Sequence, residues 1–126
     1  MQRVIKFRAW HTPTKRWARD FKIDSSGNLL IGQGVANEYR YLAGMDYVLM
    51  QFTGLTDKNG KEIWEGDIVF WKDNSDGMGC PGSKHSIEWN DNFCGWEPIC
   101  LGPDDGYDFR LCEVIGNIYE NPELLK

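Results

Sequence analysis

Gln51-Phe52-Thr53-Gly54-Leu55-Thr56-Asp57-Lys58-Asn59-Gly60-Lys61-Glu62-Ile63-Trp64-Glu65-Gly66-Asp67-Ile68-Val69 is the stretch whose reading decides the fold. The run leading into it, Tyr47 to Phe52, is rich in β-formers, and Thr53-Gly54 interrupts it after six residues, which fits a strand better than a helix. Asn59-Gly60 is the commonest two-residue signature of a type I′ turn, so both residues are expected at positive φ. Glu65-Gly66-Asp67 then reverses the chain again, with Gly66 free to take a conformation closed to other residues. Asp67 to Trp71 follows as a strand apolar on both faces, the pattern of a strand inside a small barrel or sandwich. The charged residues of the stretch read as turn and solvent-facing positions.

Working outward toward the N-terminus, Val4 to Trp10 reads as a strand, with Ile5, Phe7 and Ala9 on one face and Lys6 and Arg8 on the other. Pro13 cannot donate to a ladder, so His11 to Lys15 is a turn and Trp17 to Ile23 a return strand. Ser25 to Asn28 is a second turn before a short strand at Leu29 to Ile31, and Glu38 to Leu42 fits a helical turn or a loop equally. Toward the C-terminus, 73–83 is a long polar loop, Lys84 to Asn90 a strand, and Asp91-Asn92 a hairpin turn into Phe93 to Leu101. Gly102 to Gly106 is a further turn, and Leu111 to Tyr119 the last strand. Asn121 as N-cap, Pro122 at the first helical position and Glu123 at the positive helix end predict one short terminal helical turn.

At 126 residues the chain has room for one domain, with or without an N-terminal extension packed onto it, and a core large enough to need no staples. A hydrophobic fraction of 41% and an aromatic fraction of 13% argue against disorder. The opening residues alternate charge with apolar side chains and lack the apolar run of a signal peptide. Nowhere is a run long enough to span a bilayer as a helix, so a soluble protein made in a cytosol, with no membrane partner, is expected. Thiols stay reduced there, and Cys80, Cys94, Cys100 and Cys112 read as free. The net charge of −5 disfavours sequence-independent contact with nucleic acid, which draws on clustered Lys and Arg.

Cys80, His85, Cys94, Cys100 and Cys112 contain enough ligand types for zinc, but no pair has the spacing of a structural site. Neither a metal nor any cofactor is expected. Cys80 beside His85 is weighed as a nucleophile and base and set aside, because nothing in the sequence orients either. Asp57, Glu62, Glu65 and Asp67 are close in sequence, yet an acid–base pair needs one buried and one solvated member. Turn neighbours predict that all four are exposed, with Asp57 and Asp67 satisfied by turn amides. Asp104-Asp105-Gly106 lacks the ligand spacing of a calcium loop. The aromatic load is the stronger lead. Trp64, Trp71, Trp89, Phe93 and Trp96 lie on or near the proposed strands and form the candidate binding surface, against the plainer reading that they fill a core or an interface. Trp10 and Trp17, near the open end of the N-terminal hairpin, are the candidate subunit interface of an expected homo-oligomer.

Three blocks resemble the YopX-like proteins of bacteriophages and prophages: residues 5–10, residues 50–69 and residues 114–125. They cover about a third of the chain. The resemblance implies a mainly β fold, a five-stranded SH3-type barrel over 47–126 with an N-terminal β extension over 1–46. The strands at 47–52, 66–72, 84–90, 93–101 and 111–119 agree with that count. It also implies a bacterial host's cytoplasm as the location, and it transfers no catalytic residue. The expected function is therefore a non-enzymatic binding or assembly module with a host or phage protein as partner. The alternative is a role in nucleic-acid metabolism, through direct DNA contact or by occupying a host DNA-binding protein.

Overall fold

The computed structural model describes residues 4–41, 46–72, 82–101 and 108–125, and the protein is mainly β. Among these residues there are twelve strands and no α-helix; 3-10 turns occur at Ile99–Leu101, Phe109–Leu111 and Pro122–Leu125. The chain divides into two compact units: Phe7–Met50, and Gln51–Lys126 together with the residues up to Lys6.

In the first unit, β1 (Phe7–His11) pairs antiparallel with β2 (Arg16–Trp17), setting Trp10 opposite Trp17 and His11 opposite Arg16. The strand expected from Val4 begins instead at Phe7, and Val4 and Ile5 are exposed. The expected return strand from Trp17 to Ile23 is broken into β2 and β3 (Phe21–Ile23). Between them the chain leaves the ladder, and the carbonyl of Asp20 accepts the Gly32 N–H at 2.9 Å. β3, β4 (Leu29–Gly32) and β5 (Tyr39–Tyr41) form an antiparallel meander, so residues 39–41 are strand.

β6 (Tyr47–Thr56) starts in the first unit beside β1 and runs into the second, where it pairs with β7 (Glu62–Trp64). The turn joining them is not type I′. Gly60 has φ 80°, but Asn59 stays at negative φ. The Gly60 N–H reaches the Asp57 carbonyl at 3.0 Å and the Asp57 N–H reaches the Lys61 carbonyl at 2.8 Å, a turn closed by a left-handed glycine bulge. The Asp57 carboxylate selects it, accepting the N–H groups of Asn59 at 2.8 Å and Lys61 at 2.9 Å.

β8 (Asp67–Trp71) sits between β12 (Cys112–Asn117) and β9 (Ser83–Ser86), and four of its five residues are buried, in keeping with its apolar character on both faces. β12 carries a bulge between Val114 and Gly116. The strand expected over 84–90 is interrupted at Ile87, whose backbone bonds to Gly66 and Asp67 while its side chain is fully buried. β10 (Glu88–Asn90) then pairs with β11 (Gly95–Glu97), which ends at Pro98 and so stops short of the expected Leu101. The core of this unit is Ile63, Val69, Trp71, Ile87, Cys112 and Val114, with Leu55, Trp96, Ile99 and Phe109 packed against it. The expected loop at 73–83 and turn at 102–106 lie almost wholly outside the described residues, as does Cys80.

Two burial expectations are corrected. Asp57 is only 5% exposed and Asp67 only 3%, so neither is a solvent-facing turn residue. Both are satisfied by amides: Asp67 accepts the Trp64 N–H at 2.8 Å, and Asp57 accepts a third, from Val114, at 2.9 Å. Burial raises the cost of the Asp57 charge, but the backbone donors of Val114, Lys61 and Asn59 together outweigh it and hold the carboxyl below its ordinary range.

Candidate binding surfaces

The seven aromatics singled out in the sequence fall into different environments. Trp71 is 5% exposed, edge-on to His85 at 5.8 Å, and its indole N–H donates to the Asp108 carbonyl at 2.9 Å. It is a core residue, not part of a binding surface as expected, because β8 is buried at four of its five positions. Trp64 is half-buried, with its ring 5.4 Å from that of Phe52 and the Lys6 ammonium over both; Lys6 also pairs with Glu62. Trp10 is 4% exposed within the single chain, so it is not offered to a neighbouring subunit. Trp17 packs edge-on against it at 4.8 Å.

Trp89, Phe93 and Trp96 are brought together by the β10–β11 hairpin. Trp89 and Trp96 are cross-strand partners, edge to face at 5.1 Å, a geometry that contributes about 0.5–1.5 kcal/mol beyond area burial. The inner ring, Trp96, packs on the core, while Trp89 is 48% exposed. At the tip, the Asn90 side-chain oxygen accepts the N–H groups of Asn92 at 2.8 Å and Phe93 at 3.2 Å. Cys94 follows at φ 48°, and Gly95 lies so close to Cys100 that a side chain there would collide with its Cβ at 2.8 Å. This hydrogen-bonded turn holds Phe93 60% exposed.

Strand alternation puts Glu88 and Glu97, also cross-strand partners, on the face opposite the two tryptophans. Glu97 accepts from the Asn90 amide and Glu88 from the Ser86 hydroxyl. Both line a cleft of about 360 Å³ with Lys84, His85, Pro98 and Leu125. Desolvation lowers the His85 pKa, which favours the neutral ring, and its Nε2 lies 3.0 Å from the Ser83 hydroxyl. The cleft brings the Glu88 and Glu97 carboxylates and the Lys84 ammonium together with the apolar Pro98 and Leu125, a lining that can take a cationic side chain with an aliphatic stem. The sequence reading missed it because its residues are separated by up to 41 positions and carry no motif.

A second concavity, of about 750 Å³, lies in the first unit and is lined by Lys15, Arg16, Trp17 and Arg19. The β1–β2 turn builds it, with Lys15 at φ 55° and its N–H bonded to the His11 carbonyl at 2.9 Å. The guanidinium of Arg8 lies 4.5 Å from the centre of the Trp17 ring. A cluster of cations in an acidic chain was a readable signal, masked by the overall charge.

Cys94, Cys100 and Cys112 are free. Burial, and then the nearby Asp57 charge, push the Cys112 thiol up to about 12, so it is an inert packing group rather than a nucleophile at neutral pH. Among the described residues no three His, Cys, Asp or Glu side chains are placed to hold a metal ion. No helix among them is long and apolar enough to cross a membrane.

The sequence profile of the YopX protein family matches residues 6–126. The chain is similar to a solved structure of protein EF1440 from Enterococcus faecalis, with 32% identity over 99% of this chain and 100% of that one, and a TM-score of 0.64. It is also similar in fold to protein yopX from Bacillus subtilis, with 18% identity over 99% and 98% of the two chains and a TM-score of 0.60. No curated protein matches it.

Proposed function

This chain belongs to the YopX protein family, and from that premise we propose that it is a non-enzymatic binding module that captures a segment of a partner protein on its β10–β11 hairpin. The reading includes a C-terminal unit of the SH3-barrel type, a phage or prophage setting and a bacterial cytoplasm. One observation carries it: a hairpin whose turn is locked by Asn90 holds Phe93 and Trp89 in solvent, while the face opposite Trp89 borders a cleft lined by Lys84, Glu88, Glu97, Pro98 and Leu125. Exposed aromatics on a rigid element lose little side-chain entropy on binding, which is why such residues anchor interfaces. The carboxylate pair supplies the charge preference, and Pro98 and Leu125 supply apolar contact. The partner segment is accordingly one with a Lys or Arg flanked by apolar residues.

The test is a selection from a random peptide library on the immobilised full-length chain. The reading expects enriched peptides that share a cation next to an apolar residue and that lose binding to Phe93→Ser and Glu97→Gln. Enrichment of acidic peptides, or of peptides indifferent to both substitutions, would refute it.

A further inference from the structure

We infer that the β1–β2 hairpin is a binding site for the backbone of single-stranded nucleic acid, with Lys15, Arg16 and Arg19 as its phosphate contacts. The charge of the chain is unevenly distributed. Residues 7–50 hold six Lys and Arg against four Asp and Glu, a net +2 within a chain of net −5. Four of those six cations fall between Arg8 and Arg19, a stretch with no acidic residue.

The structure gathers them at one place. Lys15, Arg16 and Arg19 line the same concavity, and all three are exposed. Among the described residues none of the three forms an ion pair, whereas Lys6, Arg40, Lys58 and Arg110 are each paired with a carboxylate. Cations left without counter-charge around a concave surface can neutralise phosphates of a nucleic-acid strand, which releases the counterions condensed on that strand and favours binding. Arg8, half-buried with its guanidinium over the Trp17 ring, adds positive charge behind the three exposed cations.

Shape decides between anions. A single phosphate is usually cradled by buried backbone N–H groups, but here the charges are exposed and spread along a hairpin. That arrangement matches a strand with repeating charge. The cations occupy one pair of short strands, too small a stripe to follow both backbones of a duplex, so a single strand is the occupant.

The experiment is fluorescence anisotropy of a labelled twelve-nucleotide oligothymidylate titrated with the full-length chain at several salt concentrations. With three phosphates neutralised, the logarithm of affinity should fall against the logarithm of salt with a slope of roughly −2. The double variant Arg16→Ala/Arg19→Ala should lose at least tenfold in affinity and flatten the slope by about 1.4. Both positions are exposed, and thermal melts confirm that the variant is folded. Lys72→Ala, which removes an exposed cation from the other unit, should leave binding unchanged. Absence of binding at the lowest salt overturns the inference, as does equal loss in the Lys72 variant. Tighter binding of a duplex of the same length, or of polyglutamate of the same charge, overturns it as well.

Discussion

The carboxylate of Asp57 accepts the backbone N–H of Val114 at 2.9 Å, tying the turn after β6 to the last strand across 57 residues of sequence. The same side chain closes its own turn through Asn59 and Lys61. One buried charge therefore fixes both a hairpin geometry and a long-range register. Asp57→Ala leaves these donors without their acceptor, and a loss of about 2–4 kcal/mol is expected from the values for hydrogen bonds to charged groups and for unsatisfied buried donors. Because the folded-state pKa lies below the ordinary value of 3.8, its contribution is fully present above that pH and is lost as pH falls through the lowered folded value. Denaturant melts between pH 7 and pH 2 check this: the wild type should lose stability below about pH 4 more steeply than Asp57→Asn.

The turn itself gives a paired prediction. Gly60 is at φ 80° with open space around it, so Gly60→Val is penalised by backbone conformation alone, by more than about 1 kcal/mol. Asn59 is exposed and at negative φ, so Asn59→Ala should shift stability by less than about 0.5 kcal/mol. A type I′ turn would make both costly, and a large loss in the Asn59 variant would restore that geometry.

Much of the mainly β architecture was legible because alternation, glycine and proline are local signals. The strand at Asp67 to Trp71 and the reversal at Glu65-Gly66 were read where they are found. What the sequence hid is non-local. Asn-Gly reads the same in either turn type, and the choice is made by Asp57, whose third partner is far along the chain. The cleft at the β10–β11 hairpin was illegible for the same reason: cross-strand register sets Glu88 opposite Glu97, and nothing local announces it. The basic concavity draws on neighbours in sequence, Lys15 to Arg19, and was masked instead by the net charge of −5. Pro98 was a local signal, and it does end β11 ahead of the expected boundary. Aromatic exposure cannot be read from residue type, which is why Trp71 and Trp89 looked alike.

Trp10 separates a packing role from an interface role. It is buried within the single chain and stacked edge-on with Trp17, so Trp10→Ala should cost about 3–5 kcal/mol. Light scattering should return the same mass per particle for the variant as for the wild type, at a temperature where both are folded. A variant with unchanged stability but lower mass would return Trp10 to the subunit interface.

The central claim is that partners are captured on the β10–β11 hairpin, and the six indole N–H signals of the chain report on it individually. They are assigned by single Trp→Phe substitutions, and a library-selected peptide is titrated into the isotope-labelled full-length chain while their NMR shifts are followed. The account predicts that the Trp89 signal moves most, that Trp96 moves with it, and that Trp10 and Trp17 stay in place. Saturable binding that moves Trp10 or Trp17 while leaving Trp89 fixed would contradict it.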